Sequence, residues 1–173
     1  MAVPEPRPVG PPPPWAWPVT LLLSAAGIAV SAYLTYAHYH GVTALACPET
    51  GTVNCAKVTT SSQSELFGVL PVADLGLAYF VVVAALCTPW AWRSSRWELV
   101  WLRIAAVVGG VGMVIYLLYA ELFQIDAICI YCTVVHALTF GLFVTVLLAE
   151  TGRDEPTAAR PRSITASPSR AGH

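Results

Sequence analysis

The chain has 173 residues, 56% of them hydrophobic and only 11% charged, whereas a soluble domain carries about a quarter charged residues. A net charge of −1 provides no basic footprint, so no nucleic-acid partner is expected. The length permits one ordinary domain, and the arrangement of its apolar residues decides the class.

Residues 1–14 are Pro-rich and read as a disordered tail. Four apolar runs follow, each near the ~20 residues a helix needs to cross a bilayer. The first, Pro18 to Tyr39, contains no Asp, Glu, Lys or Arg. The second, Pro71 to Pro89, has Asp74 near its start, and the third, Leu99 to Ala120, has Arg103 near its start. The fourth, Ile128 to Leu148, carries no formal charge. Lipid offers a backbone no hydrogen-bond partners, so each run is read as a helix. The alternation of a membrane barrel is missing. Residues 151–173 read as a second disordered tail. The predicted fold is an all-α integral membrane protein. It is a four-transmembrane-helix bundle over residues 15–150, with an extracytoplasmic loop between helices 1 and 2. A cleavable signal peptide is the competing reading of the first run, with Ala44 to Cys47 faintly resembling a lipoprotein box. That run is too long for a signal peptide and lacks a short basic leader.

Basic residues orient the chain. Arg7, Arg93, Arg96, Arg103, Arg153, Arg160, Arg162 and Arg170 belong to the side holding the termini and the connection between spans two and three. The opposite side holds only Lys57. The positive-inside rule therefore predicts a multi-pass cell-membrane protein with both termini cytoplasmic. Tyr36 and Tyr39 near one interface, and Trp90, Trp92, Trp97 and Trp101 near the other, fit two aromatic belts. Residues 40–70 and the turn at Gln124 to Asp126 then face outward. Arg103 is expected to snorkel to the inner interface.

This orientation places four cysteines on one face of the membrane, the oxidising side. Cys47 and Cys55 share a polar segment, and Cys129 and Cys132 form Cys-Ile-Tyr-Cys at the start of span four. A CxxC alternates between dithiol and disulfide, and a second pair nearby exchanges with it through thiolate attack, so two pairs suggest an electron relay. Asp126 is a candidate N-cap for span four, with Cys129 in the first turn and Cys132 one turn on. The positive end of the helix dipole favours a thiolate there. Cys132 is the deeper sulfur, within reach of an oxidant dissolved in lipid. Two alternatives stand beside the relay. Static disulfides are the bland one. A four-cysteine zinc site is the other, but the C-x7-C spacing lacks paired short knuckles, so no metal is expected. No His directly follows Cys132, so covalent haem attachment is not indicated. Cys87 reads as a small apolar filler. Gly109, Gly110 and Gly112 read as sites of close helix packing.

The chain resembles the vitamin K epoxide reductase family in its short bacterial form. The resemblance covers most of residues 18–149. It rests on Cys47-Pro-Glu-Thr-Gly-Thr-Val-Asn-Cys55, on Ser61, on Phe67-Gly68-Val69-Leu70-Pro71 and on Cys129-Ile-Tyr-Cys132. It implies a four-helix bundle around a quinone pocket, with menaquinone or ubiquinone as electron acceptor. By the same resemblance Cys129 and Cys132 are the pocket pair, with Cys132 beside the quinone. Cys47 and Cys55 are the shuttle pair, Cys55 attacking Cys129, and Ser61 matches a loop Ser/Thr close by. His136 stands where the animal enzymes have Tyr, on the helical face of Cys132, and is a candidate quinone ligand; a buried core histidine is the plain reading. The animal pocket Asn has no secure match, although Asp74 is near. Many bacterial relatives carry a fused thioredoxin-like domain, and here a separate extracytoplasmic thioredoxin-like (DsbA-like) protein is the expected partner. The activity so implied is a thiol:quinone oxidoreductase that drives disulfide formation in exported proteins. The non-enzymatic alternative is a tetraspan protein with structural disulfides.

Overall fold

The computed structural model describes residues 10–41, 45–47, 50–66, 68–94 and 96–153. Nearly all regular structure is helical. Helix α1 spans Ala16–His40, and Gly41 ends it with a positive φ of 94°, a conformation open to glycine. A one-turn helix α2, Cys55–Thr59, begins at Asn54, whose side chain accepts from the Lys57 backbone N–H. A 3₁₀ turn at Ser62–Ser64 leads to a small antiparallel pair, β1 (Glu65–Leu66) and β2 (Leu70–Pro71). Gly68, at φ 68°, closes it.

The second predicted span is cut short. Helix α3 covers Val72–Leu86 and a separate short helix, α4, covers Pro89–Arg93. Pro89 lacks a backbone N–H and disfavours helical geometry at the preceding residue. Thr88 turns extended and its hydroxyl caps Ala91 N–H at 3.4 Å. Fifteen residues give about 22 Å of helix, less than the ~30 Å hydrocarbon core. Helix α5, Trp97–Tyr119, continues through a π-helical turn at Ala120–Ile125, and α6 spans Ile130–Thr151. Among the described residues, three helices are long and apolar enough to cross a membrane: α1, α5 with its π turn, and α6.

Helix α1 packs against α3 and α6, and α5 packs against α6. Gly27 allows the α1–α3 approach, because a Cβ there would overlap the Phe80 ring. Phe80, Val83, Val107, Leu142 and Val146 form the central core. Of the three α5 glycines, only Gly110 meets a neighbour, the Tyr79 phenol; Gly109 and Gly112 face open space.

Two interfacial expectations are corrected at the end of the bundle far from the four paired cysteines. Arg103 does not snorkel but is buried and ion-paired with Glu150. It donates to the Leu86 and Ala91 carbonyls and lies 3.8 Å from the centre of the Trp92 ring. Trp92 leaves the aromatic belt for the same reason: it is fully buried, while Trp90 is 70% exposed. Arg153 joins the cluster through Glu150 and the Trp92 carbonyl and donates to the Gly10 carbonyl. Both Gly10 and Arg153 fall in the segments read as tails. The rest of those tails, 1–9 and 154–173, lies outside the described residues, as does Phe67.

Candidate active site

The segment that precedes α2 reaches the start of α6 through its backbone. Val53 forms a parallel bridge with Ile128; Asn54 N–H donates to the Ile128 carbonyl at 3.1 Å, and Ile128 N–H donates to the Thr52 carbonyl at 2.9 Å. Cys55 follows this bridge on one strand and Cys129 follows it on the other. Both are completely buried, in one cluster with Leu34, Ala37, Val58 and Ile125. A second attachment flanks Cys47. Tyr33 and Tyr131 meet edge to face at 5.1 Å. The Tyr33 hydroxyl accepts from Ala46 N–H, and the Tyr131 hydroxyl donates to the Ala46 carbonyl. Tyr131 lies inside the CxxC, so the motif also holds the segment that carries the other cysteine pair.

Cys47 and Cys55 are joined in a disulfide with Cα atoms 6.2 Å apart. Cys129 and Cys132 are free thiols. The start of α6 departs from the sequence reading. Asp126 is not its N-cap: it takes a left-handed conformation (φ 52°) and closes the π turn of α5. The cap is Cys129 itself, whose sulfur accepts the Cys132 backbone N–H at 3.4 Å. An N-cap sulfur facing unpaired helical N–H groups is favoured as a thiolate. The π turn takes up the residues as far as Ile125, so the helix cap lies three residues beyond the expected one.

Behind Cys132 lies a cavity of about 450 Å³ between α1, α3, α5 and α6, within the usual range for small-molecule sites. Its walls are almost wholly apolar. Cys132, His136 and Ser61 all line it, as the sequence reading expects of pocket residues. His136 is 5% exposed, and its Nδ1 has no hydrogen-bond partner among the described residues; nor has the Tyr79 hydroxyl, which also reaches this cavity. Buried polar atoms are usually satisfied, so unpaired ones on residues that line an apolar cavity suit a ligand with polar atoms on a flat apolar body, as a quinone has. The Ser61 hydroxyl is occupied by the Val58 carbonyl at 2.8 Å. Asp74 does not line the cavity; one of its oxygens accepts from the Tyr39 hydroxyl at 2.7 Å. Cys87 is buried in the core at the far end.

One cavity residue escaped the sequence reading. Glu121 is 4% exposed and lines the same cavity as Cys132. The signal was available: an acid directly after an uninterrupted apolar run, eight residues before the CxxC. The expected run ends at Ala120, one residue short of it, whereas the helix continues through the π turn to Ile125. No cluster of metal-binding side chains occurs among the described residues.

The family model described as "Vitamin K epoxide reductase family" matches residues 18–147. No curated protein matches the chain.

Proposed function

The chain belongs to the vitamin K epoxide reductase family, and from that premise we propose that it is a quinone-dependent thiol oxidoreductase that reoxidises a separate thioredoxin-like partner. The observation that carries the reading is the Val53–Ile128 bridge, which brings Cys55 and Cys129 into one buried cluster beside the cavity behind Cys132. Family membership supports a membrane oxidoreductase, and α1, α5 and α6 support a multi-pass one. In the proposed topology α3, completed by α4, is the fourth span, both termini are cytoplasmic and the cysteine end faces outward.

The steps conserve electrons. A thiolate of the reduced partner attacks Cys47 and releases Cys55 as thiolate. The partner's second thiol then closes its own disulfide, leaving Cys47 reduced. Cys55 attacks Cys129, opening the Cys129–Cys132 disulfide, and Cys47 resolves the mixed bond by restoring Cys47–Cys55. The inner dithiol now holds the two electrons, with the outer pair bonded and the inner pair free, the arrangement of the present structure. A quinone, when bound, supplies an acceptor for two electrons and two protons. His136 and Tyr79 would hold its oxygens, and the apolar walls would exclude water. Static structural disulfides account for Cys47–Cys55 alone and leave the CxxC, the cavity and its unpaired donors without a role.

The direct test gives the purified full chain dithiothreitol and a short-chain quinone and follows quinone absorbance. Turnover that requires Cys132 is expected. A protein that exchanges disulfides yet never reduces any quinone overturns the reading.

A further inference from the structure

We propose that Glu121 is the proton carrier of this site: its carboxylate takes the proton of the Cys132 thiol and hands it to the acceptor oxygen. The inference rests on the quinone-reduction reading and assigns it a catalytic residue outside the cysteine pairs.

Glu121 sits where a carboxylate is costly. It is 4% exposed in an apolar setting, and no cation pairs with it among the described residues. The two buried arginines are committed to Glu150 at the opposite end of the bundle. Lys57, the nearest basic side chain in the loop, reaches the Asp126 carbonyl instead. The titratable groups that share the cavity with Glu121 are Cys132 and His136 on α6, Tyr79 on α3 and His38 on α1, with Cys129 next to Cys132 at the helix cap. A buried acid without a partner cation, in a membrane helix beside a reacting sulfur, is placed for function rather than for stability. The backbone adds a second observation. The turn that carries Glu121 is π-helical, and the Glu121 carbonyl accepts Ala127 N–H across it at 3.2 Å. Such widened turns are frequent at functional sites.

Proton balance calls for a local base. Oxidising the Cys129–Cys132 dithiol forms one S–S bond and breaks two S–H bonds. Two electrons and two protons pass to the quinone, making two O–H bonds. Cys129, capped by a helix N–H, is the sulfur poised to ionise unaided. Cys132 is half-buried and lines the cavity. Glu121 is the only acid among the described residues lining that cavity. It receives this proton as the S–S bond forms, releases it to the new O–H bond, and returns to carboxylate.

Two measurements on the full chain decide the matter. The first needs no quinone. In a Cys129→Ala background, the rate of maleimide alkylation at Cys132 is followed against pH by mass spectrometry of its peptide. With Glu121 present the rate should follow two coupled ionisations; with Glu121→Gln it should follow one. Superimposable profiles overturn the proposal. The second is dithiol-driven quinone turnover. Glu121→Gln should lower it about 100-fold, the scale of a lost general acid–base. Glu121→Asp, which keeps the acid, should recover at least tenfold over the Gln variant. Dithiol exchange at Cys47–Cys55 should keep its parental rate. A Gln variant that turns over normally, an Asp variant as slow as Gln, or loss of exchange along with turnover each overturn it. If the parent itself never reduces a quinone, the quinone reading fails. The alkylation profiles then still report whether Glu121 shares the Cys132 proton.

Discussion

The two ends of the bundle treat their buried charged groups in opposite ways. At the arginine end Glu150 engages both arginines, Arg103 and Arg153 also donate to backbone carbonyls, and Trp92 lies under the Arg103 guanidinium and donates to the Thr20 hydroxyl. At the cysteine end His136 Nδ1 and the Tyr79 hydroxyl stay unpartnered among the described residues, Glu121 has no cation, and two thiols are free. A satisfied polar cluster fixes one arrangement, and an unsatisfied one stands ready for something that arrives and leaves. The first end reads as structure and the second as chemistry.

Substitutions can break that contrast. The largest effect is expected at Cys132. Cys132→Ala should abolish quinone reduction and strand Cys129 without its resolving thiol, so a Cys55–Cys129 bond accumulates. Peptide mapping without reductant reads this directly. A persistent Cys47–Cys55 bond with no trace of the mixed species, under any redox buffer, would refute the relay. The next effect belongs to the other end. Glu150→Ala leaves two buried guanidinium groups without their carboxylate and should cost about 3 kcal/mol of stability. Thermal unfolding in detergent measures the loss, and the cysteine chemistry of the surviving folded protein should be unchanged. Comparable thermal loss from Glu121→Gln would erase the distinction between the ends. A smaller change is expected at His136. His136→Ala should reduce quinone turnover roughly tenfold, chiefly through KM if the ring positions a carbonyl, while Cys47–Cys55 exchange proceeds normally. Unaltered quinone kinetics would return His136 to the core. Least of all should come from Cys87→Ala, within about twofold of the parent in turnover, because Cys87 is packed in the core away from the cavity.

Most of this was legible in the chain because membrane helices write themselves in apolar runs. Three long helices coincide with three predicted runs, and the two spaced cysteine pairs mark the end where Cys55 and Cys129 share a buried cluster. The departures have local causes. Pro89 divides the second run, which a count of apolar residues cannot see. A π turn is not encoded by periodicity, so the cap expected at Asp126 falls at Cys129. Arg103 was read as a lone charge in lipid because its partner, Glu150, is 47 residues away. Its pairing is a property of the packed helices alone. His136 was found because helical spacing puts it on the face of Cys132, and that periodicity survived intact.

The outer disulfide is lopsided. Cys55 is sealed inside the protein, while Cys47 is half-buried, in the segment that Tyr33 and Tyr131 hold at Ala46. A soluble thiol colliding from outside meets only one of the two sulfurs. On the relay reading, that asymmetry makes the bond a ratchet: it opens toward the solvent, delivers toward the bilayer, and bars a small reductant in the medium from short-circuiting the inner pair.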